Sequence, residues 1–163
     1  MKIEDVEKLN ACSECLAWLK TQPNIETAWR TCERGDWMIG LLRKSGKDID
    51  RKVWVRIACK CARLVLHLAK SDEAKRAIET AEAWLDGKAT EIECRAAAEA
   101  ADAAYAYDAA DAAYAYAAAA DAAEAVYAYD AAVYAADAVY AAAAVYAYAA
   151  DMADIIREYV EEI

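Results

Sequence analysis

A chain of 163 residues with a formal net charge of −10 is long enough to bury a substantial core. Four glycines, one proline and abundant alanine exclude a sheet-rich or collagen-like protein and predict an all-α fold. The longest uncharged run, residues 138–150, has thirteen residues, against the roughly 20 that a membrane-spanning helix needs.

Charge and aromatic residues are unevenly placed. Residues 1–95 hold 18 Lys/Arg and 16 Asp/Glu, whereas residues 96–163 hold one base, Arg157, and 13 acids. All five tryptophans lie at or before Trp84, and all eleven tyrosines at or after Tyr105. One domain is expected over 1–163, with a Trp-containing helical lobe over 1–89 and an alanine-rich acidic lobe over 90–163. The charged start MKIEDVEKLN has no apolar signal-peptide core. A cytoplasmic protein with reduced cysteines is therefore expected.

In chain order, a first helix is predicted from Ile3 to about Lys20, stopping before Pro23. Asn24 is the expected N-cap of a short second helix ending at Gly35, where a positive φ would fit. Asp36 should cap a third helix closed by Gly46, and Asp50 should open a long one reaching about Lys70. Ser71 is expected to cap the next, ending near Gly87. Thr90 and Glu93 form a T-x-x-E capping box that launches the alanine-rich part.

In the helix from Asp50, Trp54, Ile57, Ala58, Cys61, Leu64, Val65 and Leu68 define a buried stripe. Lys52, Arg56, Lys60, Arg63, His67 and Lys70 fall on the opposite side, within about 80° of one another at about 100° per residue. This basic face is solvated, matched to the acidic tail, or a docking face for an external anion. A second cluster lies in AWRTCERGDWMIGLL, Ala28–Leu42, where Trp29, Arg30, Arg34, Asp36 and Trp37 surround one helix junction. Tryptophan beside arginine can hold a flat anionic ligand; the same residues would equally serve as a Trp–Arg–Asp corner fixing two helices.

Residues 96–151 contain 33 alanines in 56 positions. As one straight helix they would span about 84 Å, against a radius of gyration of about 15 Å for a compact chain of this size. The segment should fold back as a helical hairpin or three-helix layer. Asp121-Ala-Ala-Glu124 offers the best local start signal, with weaker ones at Asp130 and Asp137. In the Tyr-Ala-Tyr units the two rings point about 200° apart, so such a helix should bury one on each side. The aspartates have almost no basic neighbour on their own helix. Asp102, Asp108, Asp111 and Asp121 should therefore cap, face water or a partner, or meet the basic stripe. As a rigid acidic surface they could also mimic nucleic-acid phosphates.

Catalytic chemistry has little support in the residues. Cys12-x-x-Cys15 and Cys59-x-Cys61 suggest zinc, but positions 59 and 61 point about 200° apart on a helix. His67, the single histidine, has no evident nucleophile, and no phosphate-binding loop or dinucleotide fingerprint occurs. No cofactor and no enzymatic activity are expected.

The succession AWRTCERGDWMIGLL, DRKVWVRIACKCARLVL from Asp50 and AIETAEAWLDGKAT from Ala77 resembles a bacterial family of immunity proteins of polymorphic toxin systems. The likeness is to those like the fifth immunity family, which also occurs in phages; it covers residues 10–160, with the tail similar by composition. The resemblance implies a helical, non-catalytic cytoplasmic binding inhibitor whose partner is a toxin or, in phages, a defence component. This chain departs from the pattern at Gly40, where a bulky apolar residue is usual, and its tail is richer in Tyr and Asp. The expected binding residues are Trp29, Arg30, Arg34, Asp36, Trp37, Arg56, Lys60 and Arg63. The alternatives are capture of a nucleotide-like signalling molecule and the acidic mimic; direct nucleic-acid binding and membrane association are not expected.

Overall fold

The computed structural model describes residues 2–105, 110–128, 130–144 and 148–161. The protein is an all-α helical bundle; among the described residues there are ten α-helices and no strand. They are α1 (Ile3–Lys8), α2 (Ser13–Leu19), α3 (Ile25–Thr31), α4 (Gly35–Lys44), α5 (Arg51–Val65), α6 (Asp72–Leu85), α7 (Glu91–Tyr105), α8 (Ala110–Tyr127), α9 (Ala131–Ala143) and α10 (Ala149–Tyr159). The chain divides into two compact units, Met1–Asp48 with Ala149–Ile163, and Ile49–Tyr148. The divisions fall at 48/49 and 148/149, away from the compositional change near residue 90.

In the first unit, the expected helix from Ile3 to Lys20 is two helices. Asn10 adopts φ 52° between them, a left-handed conformation that asparagine tolerates better than most residues. Cys12 then caps α2 by accepting the Cys15 amide N–H at 3.3 Å. Asn24 caps α3 as expected, through Oδ1 to the Thr27 N–H at 2.8 Å. That helix stops at Thr31, short of Gly35. Gly35 begins α4 in a helical conformation, and Asp36 lies inside the first turn, with Arg34 in the cap position. Glycine is required at 35 for a different reason: a Cβ there would lie 2.5 Å from the Met152 Cβ and 2.9 Å from the Ala153 amide nitrogen on α10.

The buried residues Val6, Cys15, Leu19, Ala28 and Leu41 form a core against which Trp18 and Trp37 pack. Arg157 ties α10 to the α3–α4 junction. Its Nη1 donates to the carbonyls of Trp29 and Cys32 at 3.2 and 2.8 Å, and its Nη2 to Asp154 at 2.6 Å. Reciprocally, the Trp29 indole N–H donates to the Val160 carbonyl at 3.1 Å. The single base of the acidic tail thus satisfies backbone carbonyls that a helix end would otherwise leave open.

In the second unit, Asp50 caps α5 through Oδ1 to the Lys52 N–H at 2.7 Å. The expected stripe is buried at Trp54, Ile57, Ala58, Cys61 and Val65, and half-buried at Leu64 and Leu68. α5 ends at Val65 rather than near Lys70, tightening into a 3-10 turn over Leu66–Leu68. Ser71 occupies the N-cap position of α6 without a side-chain bond to the helix N–H groups; its hydroxyl bonds the Glu73 carboxylate, and its amide and hydroxyl also meet the Tyr116 hydroxyl, at 2.9 and 2.6 Å. The Thr90/Glu93 capping box is formed, with Thr90 N–H donating to Glu93 at 2.7 Å and Glu93 N–H to Thr90 at 3.3 Å. Gly46 and Gly87 follow α4 and α6 with φ of 70° and 72°, the left-handed exits expected of them.

The alanine-rich segment folds back as a three-helix layer, α7–α8–α9, with α8 also against α5 and α6. α7 ends at Tyr105 and α8 begins at Ala110, ahead of Asp121. Asp121 and Glu124 lie within the continuous α8, because their D-x-x-E spacing also places two acids on one helix face. The next break is at Asp130, whose Oδ1 accepts the Ala132 N–H at 3.1 Å, while Asp137 stays inside α9. Alanines 115, 118, 119, 120, 122, 123 and 125 are buried around α8, where a methyl group lets neighbouring helices approach closely. Tyr116 is fully buried but Tyr114 is exposed, so this Tyr-Ala-Tyr unit buries one ring and presents the other. Those at 105/107, 127/129 and 146/148 each include a residue outside the described ones.

Candidate functional site

The junction around Trp29–Trp37 lies in the first unit. Arg34 donates through Nε and Nη2 to the two carboxylate oxygens of Asp36, at 2.8 and 2.7 Å. Its guanidinium sits 4.5 Å from the centroid of the Trp37 ring, which meets Trp18 with centroids 6.0 Å apart at 53°. Hydrogen bonding to Asp36 raises the Arg34 pKa, so the guanidinium is charged and already matched. Trp29 is buried and held by Val160, while Arg30 reaches back to Glu26 at 2.7 Å on the exposed side of α3. Beneath Trp18 and Trp37 lies an apolar cleft, also lined by Cys15, Trp29, Cys32 and Met38, of about 250 Å³ with its mouth included. Its enclosed space is only about 10 Å³, room for about one water molecule and far below the roughly 300–1,000 Å³ of small-molecule pockets. The junction therefore brings Arg34, Asp36 and Trp37 together as a matched corner, and leaves Trp29 and Arg30 with separate partners.

The basic stripe lies in the second unit and meets α6. Arg63 donates to both Glu82 oxygens, at 2.7 and 2.5 Å, and Lys52 lies 5.9 Å from the centroid of Trp84. Arg56 is close enough to help Lys88 hold Asp86 below the usual carboxylate range. Lys60 is half-buried on the same side of α5. The acids matched to Arg63 and Arg56 thus come from α6 and its C-cap, ahead of the alanine-rich segment, because α6 crosses beside that face. His67 faces the Leu64 carbonyl through Nδ1 at 3.0 Å. That carbonyl can only accept, so Nε2 is left toward the Tyr148 hydroxyl at 3.4 Å.

Asp102 and Asp121, two of the aspartates expected to face water or a partner, lie with Glu124 and Asp137 on the outer side of α7–α8–α9. Asp102 from α7 and Asp137 from α9 are exposed, and Asp121 and Glu124 from α8 are half-buried. Asp121 is pushed up to about 7, first by burial and then by Asp137, Glu124 and Asp102. Glu124 is raised by burial and by Asp102, against a hydrogen bond from Tyr127 that lowers it. Burial raises Asp102 as well. Among the described residues, no base acts on these three carboxyl groups. Asp108 lies outside the described residues, as does the side chain of Asp111.

Tyrosines border these acids. Tyr114 lies within about 20° of Asp121 around α8, and exposed Tyr140 lies one turn beyond Asp137 on α9. Arg95 stacks 4.9 Å from the centroid of the half-buried Tyr127. The signal was present in the sequence as Asp121, Glu124 and Asp137, but choosing between cap and surface acid required knowing that α8 runs through.

The buried thiols are poor nucleophiles at rest. Burial pushes Cys15 and Cys61 up to about 12 and Cys94 to about 11, and raises Cys32 and Cys59. Among the described residues, no three His, Cys, Asp or Glu side chains are grouped as a metal site requires, and no helix is long and apolar enough to cross a membrane. Comparison with known proteins gives no match among family models, curated proteins or solved structures.

Proposed function

We propose that this is a non-catalytic cytoplasmic binding inhibitor of the immunity or anti-defence kind, which neutralises a protein target by occluding a basic surface. The observation that carries the reading is the outer face of α7–α8–α9, where Asp102, Asp121, Glu124 and Asp137 crowd together without a base acting on the first three. A cationic partner would relieve that repulsion. The bordering tyrosines add the large amphipathic contacts common at binding hot spots. Charge of one sign on such a face also speeds encounter with an oppositely charged target.

Capture of a nucleotide-like molecule has less support, because the Arg34 fork is occupied by Asp36 and the cleft below is small and apolar. The test is capture from a bacterial lysate by the wild-type chain and by a variant carrying Asp102→Asn, Asp121→Asn and Asp137→Asn, alongside nucleotide titration by calorimetry. The proposal expects a stable protein partner on the wild type that the variant loses, and no heat with nucleotides at millimolar concentration. A variant that captures the same partner equally well, or nucleotide binding without a protein partner, refutes it.

A further inference from the structure

The Cys12-Ser-Glu-Cys15 stretch places two cysteines at the entry of α2 in different surroundings. Cys12 precedes the first turn, with φ −64° and ψ 154°, and is exposed; Cys15 lies in that turn and is 3% exposed. The turn folds one toward the other, since the Cys12 Sγ accepts the Cys15 amide N–H at 3.3 Å. With a radius of about 2.3 Å and a rise of about 1.5 Å per residue, helical geometry sets Cα atoms three apart about 5 Å from each other, inside the Cα separation of about 4.4–6.8 Å that a disulfide bridges. Cys12 is the first charge acting on the Cys15 thiol, ahead of Cys32. Arg34 lowers the pKa of the Cys15 thiol against Asp36, which raises it, and Asp36, Glu14 and Cys12 together raise that of Arg34. An accessible sulfur followed three residues on by a sheltered one has the division of labour of attacking and resolving thiols. The remaining cysteines, Cys32, Cys59, Cys61 and Cys94, are buried.

We propose that Cys12 and Cys15 form a redox-active dithiol, closed to an intramolecular disulfide by low-molecular-weight disulfides of the glutathione type. The Cys12 thiolate attacks one sulfur of the small disulfide, forming a mixed disulfide and expelling one small thiolate. Cys15 then loses its proton and attacks the Cys12 sulfur, expelling the second small thiolate and closing the protein bridge. The dithiol gives up two electrons and two protons, and the small disulfide becomes two thiols. Cys15 lines the apolar cleft with Trp18 and Trp37, so the closed bridge forms at the wall of that cleft and should alter tryptophan emission.

The full chain is incubated with oxidised glutathione and then mapped by mass spectrometry after thiol blocking. Cleavage at Lys8 and Lys20 releases one peptide, residues 9–20, that contains both cysteines. The wild type should lose two of its six thiols, with that peptide lighter by two hydrogens. Cys15→Ser should stop with glutathione attached to Cys12. Cys12→Ser keeps a good helix cap and should lose the reaction at least tenfold, which keeps the test decisive even if the variant at the buried position fails to fold. The proposal is overturned if the wild type stops at the mixed disulfide, if Cys15 bridges to Cys32, if all six thiols survive, or if Cys12→Ser reacts like the wild type.

Discussion

Asp121→Asn isolates the crowding of carboxylates on α8. The folded carboxyl holds its proton up to about pH 7 against a reference value of 3.8, so the folded state binds more protons than the unfolded state between those values. Stability from this group is full below the unfolded value and is lost as pH rises through the folded one. About three pKa units at roughly 1.4 kcal/mol each set a ceiling of about 4 kcal/mol, reduced to about 2 kcal/mol because water reaches a half-buried carboxylate. Asparagine keeps the shape and hydrogen-bonding capacity of the protonated acid and removes the titration. Urea unfolding at pH 4, 6 and 8 measures it: the variant should match the wild type at pH 4 and exceed it by about 2 kcal/mol at pH 8. Carboxylates held low by partners, such as Asp5, Glu7 and Glu93, act equally in both proteins and cancel in the difference. Parallel pH dependences for the two proteins would refute the reasoning.

Gly35→Ala places a methyl group 2.5 Å from the Met152 Cβ, so a loss of about 1–3 kcal/mol is expected in chemical unfolding; unchanged stability would mean that α4 and α10 are not packed this closely. Tyr116→Phe leaves the Ser71 amide and hydroxyl without the buried phenol they meet, and should cost about 1–2 kcal/mol in the same assay. Arg157→Met should lower the thermal midpoint and weaken near-ultraviolet circular dichroism from Trp29, because the Trp29 and Cys32 carbonyls lose their charged donor. An unaltered tryptophan signal would contradict the clamp.

Local chemistry accounts for what was legible in the sequence. Asn24, Asp50, Asp130 and the Thr90/Glu93 pair cap helices with atoms within three residues, so no tertiary knowledge was needed. Gly46 and Gly87 were legible for the same reason. Gly35 was assigned the wrong role because its constraint comes from Met152, more than a hundred residues away. The break at Asn10 was hidden because asparagine also occurs inside helices, and its positive φ is a property of the folded turn. For the candidate sites, the Arg34–Asp36–Trp37 corner was readable from adjacency, but its internal matching was not. The basic stripe was readable from helical period; its partners on α6 depend on which helix crosses beside it.

The central claim is that the acidic outer face of α7–α8–α9 meets a protein target, and carbodiimide footprinting of carboxylates in the isolated and target-bound chain tests it most directly. The account predicts that labelling of Asp102, Glu124 and Asp137 falls at least fivefold on binding, while that of Asp86 and Glu26 is unchanged. Unchanged labelling of Asp102, Glu124 and Asp137 in a saturated complex would contradict it.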